Sequence, residues 1–263
     1  MSKPITVELA SIRTAHAFCG KKLVGLASAW TDEDRFCVLR VGVHEPYRRR
    51  GIATALYSAI ESANDTQLLP YSCDGCGFVF SAAFDHWSPE DFKRHMYNDD
   101  YVIGDPPFVE ERPKRNAAMV AALFWREKDT LKVLDFGGGR GVFAAELTRS
   151  GFRADSLDAY HEPGAKRDTD YDLITSFEVI EHVPHGGQYA WLVQLKAHLK
   201  ASPEAKVLIG TELMDGQEFS WFFVSPRNGH ITIHTKRSFS ILCERAGLTW
   251  QPISRSVNLL NLA

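Results

Sequence analysis

The chain has 263 residues, of which 44% are hydrophobic and 24% charged, as in a globular protein with room for one or two cores. Its formal net charge of −3 gives no electrostatic case for binding nucleic acid or an anionic membrane surface, so we expect neither partner. The sequence does not start with a basic segment followed by an apolar one, and it contains no long uncharged apolar run. These features predict a cytoplasmic protein.

Residues 1–67 begin with predicted strands and continue into a helix that starts at a basic turn. Alternating apolar residues predict two strand halves around a turn at 20–30 and a further strand at 36–43. Arg48, Gly51 and Ala53 mark the start of the helix. Backbone N–H groups at such a helix start, with arginines beside them, would hold a pyrophosphate.

This turn resembles the acetyl-CoA loop of the GNAT acetyltransferases, whose Arg/Gln-x-x-Gly-x-Gly/Ala pattern is met by Arg48, Gly51 and Ala53. The resemblance covers about 18–62 and leaves the family's first helices, and the later strand and helix of its active site, without counterparts. Three interpretations stay open, in this order: a remnant used for packing or homodimerisation, a residual CoA binder, and a working acetyltransferase. We therefore do not expect acetyl-CoA as the cofactor.

Residues 68–118 open with a Cys-x-x-Cys knuckle, Cys73 and Cys76, before a predicted strand. Tetrahedral zinc needs four ligands, and this knuckle supplies two. No second knuckle follows, which favours a vestigial zinc ribbon over a filled one. A redox pair is the weaker alternative, because no thioredoxin-like βαβ pattern surrounds the cysteines. The other ligands that the chain offers are Cys19, Cys37, His86 and His95.

Two helices are predicted after the knuckle. Ser88 as N-cap and Pro89 at the first helical position start the first one, and an apolar helix at 117–125 follows an Arg-Pro-x-x-Asn stretch. Together with Cys-x-x-Cys-Gly-Phe-Val-Phe and Tyr-Asn-Asp-Asp-Tyr-Val, this stretch resembles the lead-in of a bacterial subgroup of class I S-adenosylmethionine methyltransferases. The resemblance implies that Tyr97 and Tyr101 contact the cofactor or the acceptor. The alternative is that both tyrosines are half-buried packing aromatics.

The last segment, 119–263, is organised around a glycine turn. A short apolar strand at 131–136 leads into Asp-x-Gly-x-Gly-x-Gly and an amphipathic helix. Glycines at alternate positions let the backbone turn sharply and approach a ligand closely. The spacing departs from the dinucleotide and nucleotide-phosphate fingerprints. The acid and the three alternate glycines are Asp135, Gly137, Gly139 and Gly141.

These residues resemble the first motif of the class I S-adenosylmethionine methyltransferases. In that family the acid before the glycines, here Asp135, lies near the amino-acid end of the cofactor, and the glycine turn packs beneath it. The resemblance implies S-adenosylmethionine as the cofactor and an α/β fold, a Rossmann-like sheet with helices on both faces. The alternative is a tight strand-to-helix turn without a ligand, which three alternate glycines after an apolar strand disfavour.

The second predicted strand of this segment, at 152–160, ends at an acid. An ionised carboxylate accepts two hydrogen bonds, which suits the ribose hydroxyls of an adenosyl group. We assign Asp158 to this role, with Asp155 as the alternative if the strand register shifts. The gap at 161–171 is too short for the usual helix and third strand, so the adenine contacts stay open. The adenine-side alternatives are Asp168 and Asp170.

A third strand, at 172–176, runs into Phe-Glu-Val-Ile-Glu-His. If a helical turn begins at Phe177, then Glu178, Glu181 and His182 share a face at the carboxyl end of a central strand. Ligands bind at this edge of open α/β sheets, and two carboxylates with an imidazole can hold a divalent ion. We assign Phe177 to the cofactor site.

This Glu-x-x-Glu-His resembles the metal-binding motif of ubiquinone-biosynthesis O-methyltransferases and of the small-RNA terminal 2′-O-methyltransferases, in which a later histidine completes the site. The resemblance implies a metal that lowers the pKa of an acceptor hydroxyl and orients it. His230 follows a Trp-x-x-x-x-Pro-x-x-Gly block that looks like the family's acceptor-side loop. It is the candidate fourth ligand or general base, and His234 is the second choice. The alternative is that Glu181 and His182 only cap and hydrogen-bond.

Predicted helices at 189–200 and 236–246, and strands at 205–211, 250–254 and 257–262, complete the last segment. The expected activity is in-line methyl transfer to a small-molecule substrate, to oxygen in preference to nitrogen or carbon. The expected catalytic residues, which hold or deprotonate the acceptor, are Glu178, Glu181, His182 and His230. Two other classes stay open. One is a GNAT-type acetyltransferase, and the other is a non-catalytic scaffold, which a glycine turn covered by Tyr97 or Trp221 would favour.

Overall fold

The computed structural model describes residues 5–11, 14–19, 21–32, 35–47, 52, 55–56, 71–97, 107, 109–161, 170–217, 221, 223–225 and 229–263. The chain divides into two compact units, and each is discontinuous in sequence. The first unit comprises 1–69, 83–106 and 225–229, and the second comprises 70–82, 107–224 and 230–263. Several residues of the sequence predictions lie outside the described residues, namely Arg48, Gly51, Ala53, Tyr101 and Asp168.

The first unit contains a four-stranded antiparallel sheet. Its strands pair in chain order and are β1 (Ile5–Ser11), β2 (Thr14–Cys19), β3 (Lys22–Asp32) and β4 (Arg35–Val43). A 3-10 turn, Glu45–Tyr47, follows. Helix α1, Pro89–His95, also belongs to this unit and starts with the predicted cap. The Ser88 hydroxyl accepts from the Asp91 N–H, and the Asp91 carboxylate accepts from the Ser88 N–H.

The second unit contains a six-stranded sheet with the order β12-β13-β10-β9-β7-β8. Strands β8, β7, β9 and β10 are parallel, β13 is antiparallel to β10, and β12 is antiparallel to β13. Strand β8 forms one edge of the described part of this sheet, and residues 162–169, where the short gap predicts no third strand, lie outside the described residues. The strands are β7 (Lys132–Phe136), β8 (Arg153–Leu157), β9 (Leu173–Phe177), β10 (Lys206–Gly210), β12 (Leu248–Pro252) and β13 (Val257–Leu262).

Helices cover both faces of this sheet, because the central strands carry apolar side chains on both sides. Along β9, Leu173 packs into one core cluster with Val120 and Phe143, whereas Ile174 packs into the other with Leu192. Continuous apolar strands of this kind are typical of a parallel sheet buried on both faces. The helices are α2 (Glu111–Leu123) and α3 (Val142–Arg149) on one face, and α4 (Gln188–Lys196) and α5 (Lys236–Arg245) on the other. The predicted Rossmann-like α/β fold is confirmed.

A smaller sheet lies in the same unit and pairs β11 (Thr232–Ile233) with β6 (Val79–Phe80), and β6 with β5 (Tyr71–Ser72). The Cys-x-x-Cys knuckle forms the connection between β5 and β6. The Thr235 hydroxyl, at the N-cap of α5, donates to the Cys76 carbonyl oxygen at 2.6 Å. The strand predicted after the knuckle is therefore present and pairs with the strand that follows His230.

Two element boundaries differ from the prediction in ways that matter for the site. Helix α2 begins at Glu111 rather than at 117, because Pro113 falls in its first turn, where a missing N–H costs nothing. The predicted helical turn at Phe177 is wrong. Strand β9 continues through Phe177, and a 3-10 turn starts later, at Ile180–His182.

Among the described residues, no helix is both long and apolar enough to cross a membrane.

Candidate active site

The glycine turn follows β7 at the carboxyl edge of the central sheet. Gly137, Gly139 and Gly141 have positive φ angles of 83°, 55° and 74°, which residues with a Cβ rarely adopt. A Cβ on Gly137 would lie 2.6 Å from Val179 Cγ2, so the turn also lies directly against the loop that follows β9. The sequence therefore needs glycine here both for backbone conformation and for close packing.

Asp135 is buried at the end of β7, beside this turn. Its carboxylate accepts from the Thr175 hydroxyl at 3.1 Å, and a Cβ on Gly138 would overlap both this carboxylate and the Ser156 hydroxyl. Burial raises the pKa of Asp135 to about 7, the Thr175 hydrogen bond opposes the shift, and the negative charge of Asp158 adds to it. The carboxyl group is therefore poised between its neutral and ionised forms near neutral pH.

Asp158 lies at the end of the neighbouring strand β8 and binds the same turn. One carboxylate oxygen accepts from the Gly139 N–H at 2.9 Å, and the other accepts from the Tyr160 and His161 N–H groups at 2.8 and 2.9 Å. Burial opposes ionisation, but the hydrogen bonds, including one from the His161 ring at 3.0 Å, hold the pKa of Asp158 below its usual range.

The alternative to Asp158 and the described adenine-side candidate, Asp170, lie elsewhere. Asp155 accepts from the Tyr171 hydroxyl at 2.9 Å within the sheet. Asp170 pairs with Lys132 Nζ at 2.6 Å, at the amino end of β7 and thus at the edge opposite the glycine turn. Of the described acids that the sequence proposed for the cofactor, the structure brings Asp135 and Asp158 to the turn.

Phe177, the last residue of β9, is half-buried in the core. Its ring lies over Gly210, where any Cβ would overlap it, and its centroid is 5.6 Å from that of Phe143. The aromatic side chain therefore packs against the neighbouring strand and helix α3 at the carboxyl edge of the sheet. Its contact with a cofactor stays a prediction.

Glu181 lies in the 3-10 turn after β9 and is 1% exposed. Neither of its carboxylate oxygens has a hydrogen-bond partner of ordinary geometry among the described residues, and the Thr211 hydroxyl beside it offsets only part of the cost of burial. Burial, followed by the negative charge of Glu178, raises the pKa of Glu181 well above its usual range. A buried carboxylate without full hydrogen bonding is costly, so it is expected to be protonated or to meet a cation.

The Glu181 carboxylate belongs to a three-residue cluster. One ligand atom from each of Glu181, His182 and His230 lies within 4.8 Å of the other two, and this is the one such His/Cys/Asp/Glu group of three or more among the described residues. The Ile231 N–H donates to the Glu181 carbonyl oxygen at 2.9 Å, which holds the two segments together. The structure thus brings together three of the four residues predicted to bind a metal.

The ring of His230 is oriented by the backbone. Its Nδ1 lies 2.9 Å from the Phe223 carbonyl oxygen, which can only accept, so Nδ1 carries the proton and the lone pair is on Nε2. The His182 and His230 rings meet edge to face with centroids 5.0 Å apart. A histidine whose Nδ1–H donates to a carbonyl while Nε2 carries the lone pair is the usual arrangement in a protein metal site.

Glu178 is the predicted ligand that the structure leaves outside this cluster. It has a φ of 57°, in the left-handed region that a non-glycine residue rarely occupies, and such strain concentrates at functional sites. Its carboxylate lies 3.9 Å from Arg112 Nη1. The sequence prediction overlooked Arg112 as a site residue, although the Arg-Pro-x-x-Asn stretch was the signal that could have identified it.

The knuckle has the backbone of a thiolate-binding turn. The Gly77 N–H donates to the Cys73 carbonyl oxygen at 2.7 Å, and Gly77 has a φ of 72°. Hydrogen bonds from Cys76 and from the Gly75 N–H hold the pKa of Cys73 below its usual range. A zinc ion needs four ligands, and the described residues supply two thiols at the knuckle. Zinc binding here therefore stays a prediction.

The remaining predicted residues have other surroundings. His234 is buried between Gln188 and Ser238, and burial lowers its pKa to about 3. Trp221 packs on Phe223, with ring centroids 5.2 Å apart, in a cluster with β6 and β11. In the first unit, Tyr97 stacks on Phe92 at 6.1 Å.

The comparison with protein families matches this architecture. The family model described as "Methyltransferase domain" matches residues 108–252, which is more than half of the chain. The chain belongs to this methyltransferase domain family. The acetyltransferase (GNAT) family model matches residues 8–67, so the N-terminal segment is similar to part of that family. A comparison with curated proteins found no match.

Solved structures share the fold at low identity. The 1,6-didemethyltoxoflavin-N1-methyltransferase of Burkholderia thailandensis, solved with 1,6-didemethyltoxoflavin and S-adenosylhomocysteine, is 16% identical with a TM-score of 0.50, over 73% of this chain and 96% of that chain. The mitomycin 7-O-methyltransferase MmcR is 16% identical with a TM-score of 0.49, over 83% and 69% of the two chains. The Synechocystis PCC 6803 magnesium protoporphyrin IX methyltransferase is 13% identical with a TM-score of 0.43, over 68% and 97%. Only the first of these likenesses supports the fold, and none of them bears on substrate.

Proposed function

We propose that this protein is an S-adenosylmethionine-dependent methyltransferase that acts on a hydroxyl oxygen of a small molecule. The observation that carries the proposal is the meeting of two carboxylates, Asp135 and Asp158, at one glycine turn on the carboxyl edge of a parallel sheet. Membership of the methyltransferase domain family supports it.

The residues at the turn fit a sulfonium nucleoside. S-adenosylmethionine would supply an electrophilic methyl group on its sulfonium, and its zwitterionic amino-acid end would bring a cationic ammonium group. Asp135, whose pKa is already near 7, would ionise opposite that positive charge, while Asp158 holds the Gly139 N–H and the turn in place for the sugar. Gly137 and Gly138 let the turn approach Val179, Asp135 and Ser156 closely, since a Cβ at either position would overlap these neighbours. Orienting the two reactants is the main contribution of such a site to rate.

We extend this proposal to a divalent metal held by Glu181, His182 and His230. The buried carboxylate of Glu181 without a hydrogen bond of ordinary geometry, and the His230 ring with its lone pair on Nε2, fit a cation better than they fit a structural role. A metal in this position would lower the pKa of an acceptor hydroxyl. Glu178 stays in the proposal as a residue that adds negative charge beside Glu181 and is itself balanced by Arg112.

Calorimetric titration with S-adenosylhomocysteine tests the cofactor proposal. We expect wild type to bind, and Asp158→Asn to raise the Kd by roughly 10–100-fold, because hydrogen bonds to a charged group are worth about 1.5–3 kcal/mol. Asp155→Asn is the matched control, since it changes the same residue type three positions earlier, within β8, at a side chain that binds Tyr171 instead. Absence of binding by wild type, or equal losses in both variants, would contradict the proposal.

A GNAT-type acetyltransferase activity, or simple CoA binding, is the second candidate. The match of residues 8–67 to the GNAT family model favours it, together with the antiparallel sheet β1–β4. The pyrophosphate loop that would bind CoA falls at Arg48, Gly51 and Ala53, outside the described residues.

A further inference from the structure

We propose that Gln188 is a positioning residue that fixes the turn carrying Glu181 and His182, so that these two side chains face His230. The inference rests on the proposed metal site and adds to it a residue that neither motif contains. Gln188 is the first residue of α4, is 4% exposed, and contacts the turn through its side-chain amide.

The amide nitrogen of Gln188 points at the backbone on both sides of the two ligands. Its Nε2 lies 3.0 Å from the Ile180 carbonyl oxygen and 2.6 Å from the Val183 carbonyl oxygen. These oxygens only accept, so the amide orientation is fixed, because a flipped amide would direct its own oxygen at them. Ile180 and Val183 flank Glu181 and His182, and the amide therefore holds both ends of the ligand-bearing turn.

A hydroxyl on β11 completes the clamp. Thr232 Oγ1 lies 2.9 Å from Gln188 Nε2 and within 3.1–3.3 Å of the carbonyl oxygens of Ile180, Glu181 and Val183. Thr232 is 1% exposed and lies two residues after His230, the third proposed ligand. The Gln188–Thr232 pair thus connects the turn with Glu181 and His182 to the strand that follows His230.

The other end of the Gln188 amide is fixed by a buried histidine. Gln188 Oε1 can only accept, so His234 donates to it from Nε2 at 3.1 Å, and His234 Nδ1 accepts from the Ser238 hydroxyl at 3.0 Å. Because burial keeps His234 neutral, the hydrogen bonds from Ser238 to His234 and from His234 to Gln188 keep the same donors and acceptors across the physiological pH range. A side chain anchored at both ends is well suited to orienting a neighbouring loop.

The test uses Co²⁺ as the probe, because its visible absorption reports the number and type of its ligands. We expect wild type to show a Co²⁺ band that Glu181→Leu abolishes. Gln188→Met should raise the Co²⁺ Kd by about 10–100-fold, the usual effect of losing a residue that orients metal ligands. Gln194→Met is the matched control, because Gln194 is an exposed residue on the same helix.

A second pair of variants keeps the test valid if Gln188→Met fails to fold. Thr232→Val should weaken Co²⁺ binding by about 10-fold or more and shift the absorption band. Thr232→Ser, which keeps the hydroxyl, should have the affinity and the spectrum of wild type. Affinity for S-adenosylhomocysteine, measured on the same samples, should stay within about twofold, since the glycine turn is held by other residues. A merely structural role would lower thermal stability without a change in the Co²⁺ spectrum.

The outcomes separate the two proposals. If wild type binds Co²⁺ and the Gln188 and Thr232 variants bind it as tightly with an unchanged spectrum, the positioning role is wrong and the metal site stands. If wild type shows no Co²⁺ band, both the metal and the positioning role are wrong, while S-adenosylhomocysteine binding still reports independently on the methyltransferase proposal.

Discussion

Asp135 and Glu181 are both buried acids at the carboxyl edge of the same sheet, yet their surroundings give them different tasks. Asp135 accepts from the Thr175 hydroxyl, and its pKa is raised only to about 7. Glu181 has no hydrogen-bond partner of ordinary geometry among the described residues, and burial and the charge of Glu178 raise its pKa well above its usual range. Under the functions proposed above, the first acid would ionise opposite an organic cation and the second opposite a metal ion.

The pKa of Asp135 predicts proton release when a cationic ligand binds. Below pH 7 the free protein holds this carboxyl mostly protonated, and a positive ligand favours the ionised form, so affinity for S-adenosylmethionine should fall by up to about tenfold per pH unit between pH 7 and 5. Above pH 7 this contribution should level off. Calorimetry in two buffers of different ionisation enthalpy measures the released protons.

Asp135→Asn is the control for this prediction, because it keeps the acceptor for Thr175 and removes the titration. Its affinity should be lower than that of wild type at pH 8 and should lack the additional pH dependence. The same number of released protons in both proteins would show that the titrating group lies elsewhere.

At the scale of elements, the site is built from short connections rather than from regular structure. Helix α3 starts at Gly141 without a side-chain cap, whereas α1 and α5 each start with a reciprocal capping box. Of α1, α3 and α5, therefore, α3 is the helix whose first N–H groups are not bound by a cap side chain. These groups lie where the proposed cofactor would lie. The loop after β9 packs against the same turn through Val179 and Gly137.

Gly138 provides a test of this close packing. In Gly138→Ala the new Cβ would overlap the Asp135 carboxylate and the Ser156 hydroxyl, so we expect a loss of about 1–3 kcal/mol in the free energy of unfolding and at least a 10-fold loss of S-adenosylhomocysteine affinity. Urea unfolding and calorimetry measure the two quantities.

Gly186→Ala is the matched control, because Gly186 also lacks a positive φ but has no atom within 4 Å of the added Cβ. It should leave affinity unchanged and leave stability equal or up to about 1 kcal/mol higher. An affinity loss in Gly138→Ala no larger than that in the control would contradict a ligand on the turn.

The whole molecule combines two compact units with separate family similarities. The second unit contains the glycine turn, the acidic residues and the histidine cluster, and most of the methyltransferase match falls on it. The first unit contains the antiparallel sheet β1–β4, within the GNAT match. Our ranking of the N-terminal segment as a remnant therefore makes a prediction for the full chain.

Thermal unfolding of the full chain with each ligand checks this ranking. S-adenosylhomocysteine at about 100 times its Kd should stabilise the protein by roughly 2.7 kcal/mol, whereas acetyl-CoA at the same concentration should leave the midpoint unchanged. Free CoA and adenosine are controls for weak adenine binding. Stabilisation by acetyl-CoA alone would reverse the order of the two proposed functions.

The sequence by itself determined the local parts of this protein: the strand and glycine turn before α3, and the cap of α1. These features follow from side-chain periodicity and glycine conformation, which act between near neighbours. Asp158 rather than Asp155 was already the favoured choice for the turn, since the predicted strand ends at Asp158.

Only the tertiary structure decided which distant side chains meet. It left Glu178 opposite Arg112, brought His230 to Glu181 and His182, and placed Gln188 against the backbone around them. No spacing in the sequence encodes these contacts, because they depend on how β9, β11 and α4 pack and on the 3-10 turn that replaced the predicted helical one. Burial likewise decided the charge states, since the same carboxyl group titrates differently once its water is removed.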